Sequence, residues 1–526
     1  MKKYNSLIVA ISIISVTTLL QNAAAASQGT NSDNAKSCAK IIKDSKLDFV
    51  DDGDLNDAWL EKMRSAKVDA QQERINEAVQ TAGYQKASLN REVVANHNES
   101  YTNELSLGCV ADQKSSGRCW IFAGSNMLRE GLVNDKKVDP SFQFSYTYLH
   151  FFNILEKSNR MLWRIENAQV KNLTRAEELR YIDKIGDGGW YNWFKFLVSK
   201  YGLVPASAMP ETAESLNTAS LNTSVMYVIS SAGDKIKSLT QVWNSQNVGS
   251  YTAEQKQTLL TIRQETMQKI YEILRTHLGT PPTKFTFRNK VNHAEKAEKA
   301  QTHVTQYDVR EYTPAQFRDE FVKYNPDDYV LIMNSPFQPY GKLIEMTDST
   351  IGVPSKAREN YSEKMLNLPF YRMDELIRAS IDSGSAVWFG TDVGQSIDRA
   401  DQTLEKPMTG VWHSELYRAD QVYGQPNEKS DFNLSRRQRM QFRLANLNHA
   451  MVFVAYDRPV ADAPTIKYKV GNSWGDKFGN KGYGNMYRGW AEQNLDQIVV
   501  RKSLLNSDEL NALKQQPLVV DEDDIF

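Results

Sequence analysis

A polar, glycine-bearing loop that ends on a cysteine and turns at once into an apolar run, DQKSSGRCWIFAGSNMLRE (112–130), constrains this chain more than any other stretch. Ile121, Phe122, Met127 and Leu128 are apolar, while Ala123, Gly124 and Ser125 are small enough for close packing. The pattern predicts a helix beginning at Cys119. The unpaired N–H groups and dipole of a helix N-terminus favour a thiolate there. Taken alone, the stretch fits a nucleophile and a buried structural cysteine equally well, and the rest of the chain has to decide.

The amino terminus sets the compartment. Lys2 and Lys3 precede the apolar run LIVAISIISVTTLL (7–20), and AAAAS follows with small residues. This is the pattern of a secretory signal peptide over residues 1–26, cleaved after Ala25 or Ala26. Fourteen apolar residues are too few for a comfortable bilayer span, and no cysteine follows the run to carry a lipid. No other segment reads as transmembrane. The expectation is a soluble protein, secreted or periplasmic, with no membrane partner. The chain has 3 cysteines, Cys38, Cys109 and Cys119, all beyond the signal peptide. An odd count in an oxidising compartment leaves a thiol unpaired; a Cys38–Cys109 disulfide would leave Cys119 free. No C-x-x-C spacing supports a structural zinc. A formal net charge of -1 over 526 residues argues against a protein built to coat nucleic acid.

Residues 27–55 read as a polar leader, and 56–210 as the first part of the main domain, carrying the nucleophile helix. Asp187 is placed to cap a helix over WYNWFKFLVSKYG, where Trp190, Trp193, Phe194, Leu197 and Tyr201 recur at helical spacing. Residues 211–380 read as a helix-rich insertion. Its clearest helix runs from about Ala253 to His277, with Thr252 and Gln255 at capping-box spacing. Residues 381–516 change character: HAMVFVAY and IKYKV alternate like strands. Helices early and strands late predict an α+β fold in which the cysteine meets late residues across a cleft.

The late residues supply the partners. His449 opens the strand HAMVFVAY, 330 residues beyond Cys119, and Asn472 follows in GNSWG. Each is weak evidence singly, but the order cysteine, histidine, asparagine is that of a thiol hydrolase. The imidazole serves as base, Asn472 accepts its ring N–H without adding charge, and Trp474 screens that bond from water. Gln113, six residues before the cysteine, can donate its amide to an oxyanion together with the Cys119 N–H. Such chemistry needs no metal and no cofactor. Gly188 and Gly189 leave room for a peptide backbone to approach, and Trp474 is a further candidate for substrate contact. Trp388, Phe389 and Asp392 are expected to shape the core and the cleft wall.

QKSSGRCWIFA, DGGW with KYGLVP and MPET, AVWFGTDVG, NHAMVF and GNSWG with KGYG occur in this order. The set resembles the bleomycin hydrolase and aminopeptidase C family of papain-like cysteine peptidases over about residues 60–517. The resemblance implies a two-lobed papain-like fold with a large helix-rich insertion. It implies Cys119 as nucleophile, His449 as base and acid, Asn472 as its orienting partner and Gln113 at the oxyanion. It also implies peptide substrates and a homohexamer around a central chamber. Papain-like enzymes proper carry a cysteine three residues before the nucleophile, where this chain has Ser116.

The carboxyl terminus departs from the family. A tail resembling Pro-Trp-Asp-Pro-Met-Gly-x-Leu-Ala gives such enzymes a carboxylate that meets the substrate's free amino group. Here residues 517–526 read PLVVDEDDIF. Either Asp523, Asp524 or the Phe526 carboxylate still meets an ammonium, or the tail is a solvated acidic end and the cleft admits internal peptide bonds. A non-catalytic binding protein on the same fold is the reading of another class.

Overall fold

The computed structural model describes residues 55, 57–170, 173–182, 184–246, 250–290, 307–347, 349, 351–353, 362–398, 410–424 and 431–525. The signal-peptide and leader readings, Cys38 and Phe526 lie outside them. The chain divides into two units, Met1–Gly83 and Tyr84–Phe526. In the first, α1 (Asp57–Ser65) precedes α2 (Ala70–Ala82). Asp69 caps α2 through hydrogen bonds from the Gln71 and Gln72 amides.

The second unit joins a helical layer to one large sheet. Its helices are α3 (Cys119–Asn134), α4 (Tyr146–Val170), α5 (Tyr191–Tyr201), α6 (Ala219–Gln246) and α7 (Ala253–Leu278). α7 starts at a capping box made by Thr252 and Gln255, as its sequence predicts. It packs with α6 and α4, burying Leu259, Ile262, Ile270, Leu274 and Leu278. The buried seam therefore begins at Leu259.

In spatial order the sheet runs Leu518–Val520, Leu343–Met346, Lys364–Asn367, Tyr329–Met333, Leu495–Arg501, Val387–Thr391, His449–Asp457, Lys467–Gly471, Tyr483–Tyr487, Val411–Trp412 and Ile397–Asp398. Asn103–Glu104 adds beside His449–Asp457. His449–Asp457 thus lies centrally, antiparallel to Val387–Thr391 on one side and to Lys467–Gly471 on the other. Its first seven residues are buried, as expected of a strand covered on both faces.

The helix-rich insertion over 211–380 begins with α6 and α7 and ends in a further helix, Phe370–Asp382. Between them come a hairpin of Phe285–Lys290 and Tyr307–Tyr312 and then three strands of the main sheet between Tyr329 and Asn367. Short apolar runs such as YVLIM carry no period that separates a buried strand from a buried helix. The insertion is thus built into the sheet and completes one of its edges. The tail is ordered as well. Leu518–Val520 pairs in parallel with Leu343–Met346, and Ile525 is fully buried. Leu518, Val519 and the acidic side chains of 521–524 face water, while the backbone of Leu518–Val520 is stitched to the sheet edge.

α3 packs on the central strand His449–Asp457. Ile121 and Phe122 are buried, with Phe122 stacked 3.7 Å from Tyr146. A Cβ on Gly124 would sit 2.7 Å from the Phe194 ring, so the small residue lets α3 and α5 approach. Each large side chain buried here contributes about 1.5–3 kcal/mol. This packing carries Cys119 to the start of the strand that His449 opens.

Candidate active site

The site is built from two chain termini of regular structure. Cys119 is the first residue of α3, and His449 is the first residue of the central strand. The residue before α3, Arg118, makes no side-chain cap. The first-turn N–H groups are therefore left for the site. Arg118 instead turns inward, fully buried. It donates to both carboxylate oxygens of Glu211 at 3.2 and 2.8 Å and to Ser116 Oγ at 2.9 Å. That fork locks the residue preceding the cysteine.

Asp187 is the second lock, and the sequence reading of it as a helix cap is corrected. Helix α5 begins after Trp190, which gives no side-chain cap. Buried Asp187 accepts from the Gly117 amide at 2.9 Å, from Asn222 Nδ2 at 2.8 Å and from Thr218 Oγ1. Its backbone carbonyl accepts from Trp120 Nε1 at 2.8 Å. The loop before the nucleophile is thereby tied to α6. Burial raises the Asp187 carboxyl, but the Thr218, Asn222 and Gly117 donors favour its charged form and hold it below the usual range. His150 lies 3.8 Å away, and burial keeps its imidazole neutral.

His449 and Asn472 are both buried, and His449 Nε2 donates to Asn472 Oδ1 at 2.9 Å. With Nε2 as the donor, Nδ1 is the ring nitrogen that carries the lone pair. Trp474 stacks over the imidazole with centroids 5.0 Å apart. The tryptophan is not among the residues that line the cleft beside Cys119. The turn after it needs Gly475, whose φ is +78° and whose Cβ would meet Asp112. Asp392 has a part that its sequence did not reveal. It accepts from Asn448 Nδ2 at 2.7 Å and the Asn446 amide at 3.2 Å, fixing the approach to His449.

Gln113 is oriented by three bonds. Its amide N–H donates to Ser473 O at 2.8 Å, its Oε1 accepts from Ser473 Oγ at 2.6 Å, and Nε2 donates to Ser116 O at 2.5 Å. One Nε2 hydrogen remains for an oxyanion. The same contacts bind Gln113 to the residue that follows Asn472.

These groups converge on a cleft of about 380 Å³ whose lining includes Gln113, Cys119, Gly188, Gly189, Trp388 and His449. Trp388 forms wall, as expected, while Phe389 stacks in the core on Phe453 at 3.9 Å. The two glycines differ. A Cβ on Gly188 would meet nothing within 4 Å, whereas one on Gly189 would lie 2.5 Å from Trp120. Gly189 is thus required by packing, and Gly188 alone faces open space. Cys119 is half-buried. Burial pushes its thiol up to about 11, against the pull of the Ala450, Trp120 and Cys119 N–H groups. The N–H groups at the helix start favour the thiolate but do not outweigh burial. Cys109 is exposed and makes no disulfide among the described residues.

An α+β fold with a cysteine on a helix start, a histidine on a facing strand and an asparagine behind the histidine defines a papain-like cysteine peptidase. Residues 54–525 match the Peptidase C1-like family. The chain belongs to that family, on the bleomycin hydrolase and aminopeptidase C branch. Aminopeptidase C of Streptococcus thermophilus is 31% identical over 453 residues, 85% of this chain and 92% of the relative. Aminopeptidase C of Lactobacillus delbrueckii subsp. lactis is 30% identical over 449 residues, 84% and 90% respectively. The crystal structure of PepW from Lactobacillus rhamnosis HN001 superposes with a TM-score of 0.78 at 27% identity, covering 90% of this chain and 99% of that one. Among the described residues, no helix is long and apolar enough to cross a membrane.

Proposed function

We propose that this peptidase is an exported aminopeptidase that works through a thioester on Cys119. His449 Nδ1 takes the proton from Sγ, and the sulfur attacks the carbonyl carbon next to the substrate's free amino terminus. The oxyanion is met by Gln113 Nε2–H and the Cys119 N–H. As the intermediate collapses, His449 returns the proton to the leaving amine. A water molecule, deprotonated by His449, then cleaves the thioester and releases the amino acid. Asn472 keeps the imidazole aligned throughout.

The observation that carries the aminopeptidase reading is the anchored tail, in a chain whose relatives of nearly full length are named aminopeptidases. Ile525 O accepts from Ser335 Oγ at 2.9 Å, and Asp524 O accepts from Gln338 Nε2 at 2.8 Å. Ser335 lies two residues beyond Met333, which pairs across the sheet with Gln497, a residue of the cleft lining. In this reading the Phe526 carboxylate receives the substrate's ammonium, since opposite charges attract strongly in a cleft. The altered tail sequence favours one competing reading, an endopeptidase with an ungated cleft. Deleting Asp521–Phe526 tests between them: a gain of internal cleavage supports gating, and an unchanged product pattern refutes it.

The apolar leader and small-residue cleavage pattern support export, to a periplasm or the medium. The family resemblance supports a homohexamer, which sizing of the mature protein tests directly: a particle of one chain's mass refutes it.

A further inference from the structure

Across the floor of the cleft, Ala450 pairs with Gly390, and Gly390 with Gln497, on neighbouring strands. Directly paired residues of antiparallel strands turn to the same face of the sheet, and all of these line the cleft. The Ala450 N–H acts on the Cys119 sulfur. Neighbouring strands lie about 5 Å apart, so the row leads away from the nucleophile along a lane that alanine and glycine leave nearly bare. Gln497 closes it, fully buried. Its Nε2 donates to Met365 Sδ at 3.0 Å. A thioether only accepts, so this bond sets which way round the amide lies. Oε1 is thereby turned toward Gly390, 3.6 Å from where a Cβ there would sit. Leu447 Cδ1 at 2.9 Å and Trp388 Cη2 at 3.5 Å meet the same point, so the oxygen faces apolar groups. Among the described residues none donates to it. A buried acceptor in that condition is unfavourable until a donor reaches it. Leu447 is half-buried on the segment before His449, and a change of its rotamer opens Oε1 to the lane.

We propose that Gln497 Oε1 accepts a hydrogen bond from the α-ammonium group of the substrate and so helps select chains with a free amino terminus. This rests on the aminopeptidase reading above and adds a residue of the sheet to it. The α-nitrogen of the residue being released is joined through its α-carbon to the carbonyl that Cys119 attacks. With that carbonyl at the sulfur, the nitrogen lies in the near part of the lane. An ammonium group has N–H donors beyond those that a single acceptor takes. An amide oxygen receives one of them without placing a second charge on an apolar floor. An acylated terminus carries no charge and meets the same oxygen more weakly.

The test measures kcat/KM for one peptide with its amino terminus free and for its desamino analogue, in which hydrogen replaces the amino group. The wild type is expected to favour the free-amine peptide. Gln497→Met keeps the length of the side chain and removes the acceptor. In that variant the preference should shrink by about ten- to a hundred-fold, the range of a hydrogen bond to a charged group, and the loss should fall on the free-amine peptide alone. Iodoacetamide labelling of Cys119 at the wild-type rate shows that the site is intact. Gln497→Glu keeps an oxygen in place and should retain the preference, and Gln497→Leu repeats the contrast where the methionine variant does not fold. A preference that survives the apolar variants overturns the proposal. So does an equal loss on the two peptides, which marks Gln497 as packing only. A wild type that favours neither peptide is a different outcome: it sinks the aminopeptidase reading, and the role of Gln497 with it.

Discussion

Replacing His449 by alanine separates two ways of making Cys119 reactive. The N–H groups of Cys119, Trp120 and Ala450 act on the sulfur, yet burial outweighs them and leaves the thiol at about 11. At pH 7 such a thiol is ionised to about one part in 10⁴. In the intact site the imidazole accepts the proton, so ionisation no longer waits on bulk pH. A more basic thiolate is the better nucleophile and recovers about two of those four decades. The expected net loss on His449→Ala is therefore roughly 10²-fold in alkylation rate at pH 7. The assay is iodoacetamide labelling followed at Cys119 by peptide mass spectrometry, because exposed Cys109 also reacts. The variant's rate should climb about ten-fold per pH unit from pH 7 to 10, while the wild type stays nearly flat. A variant as fast as the wild type, or one whose rate levels off below pH 8, would show that the helix terminus alone ionises the thiol.

Other substitutions probe the rest of the site. Gln113→Ala is expected to lower kcat by about 10²–10³-fold with little change in KM, as for loss of an oxyanion donor; a loss within three-fold contradicts that role. Gly189→Ala forces a methyl to within 2.5 Å of Trp120 and should cost about 1–3 kcal/mol in denaturant unfolding. Gly188→Ala, which meets nothing, should leave the unfolding midpoint near that of wild type. Arg118→Met strands Glu211 and should destabilise by about 3 kcal/mol, the low end for a buried pair because Glu211 is partly exposed. Arg118→Lys should not restore the loss, since an ammonium cannot make the two-pronged contact.

The reacting groups were legible because each sits in a short segment whose local chemistry is distinctive. Cys119 begins a helix just where loop polarity gives way to an apolar run. His449 and Asn472 flank strands whose alternation is plain. The groups that hold them were not legible. Asp187 stands four residues before a helix and looks like a cap, yet its partners Thr218 and Asn222 lie more than 30 residues on. Arg118 meets Glu211 across 93 residues. Asp392 and Asn448 are 56 apart. Such contacts are set by how elements pack, and no local period encodes them. The strands between Tyr329 and Asn367 were hidden for a related reason: they are short, apolar and buried, so helix and strand patterns coincide.

The central claim is that the site cleaves next to a free amino terminus and uses Cys119 to do so. One peptide, presented with its amino terminus free and again acetylated, tests it on the mature protein, with Cys119→Ser as control. Cleavage of the free form alone, abolished by Cys119→Ser, is the predicted result. Comparable cleavage of both forms would contradict gating by the tail, and cleavage that survives Cys119→Ser would contradict the assignment of the nucleophile.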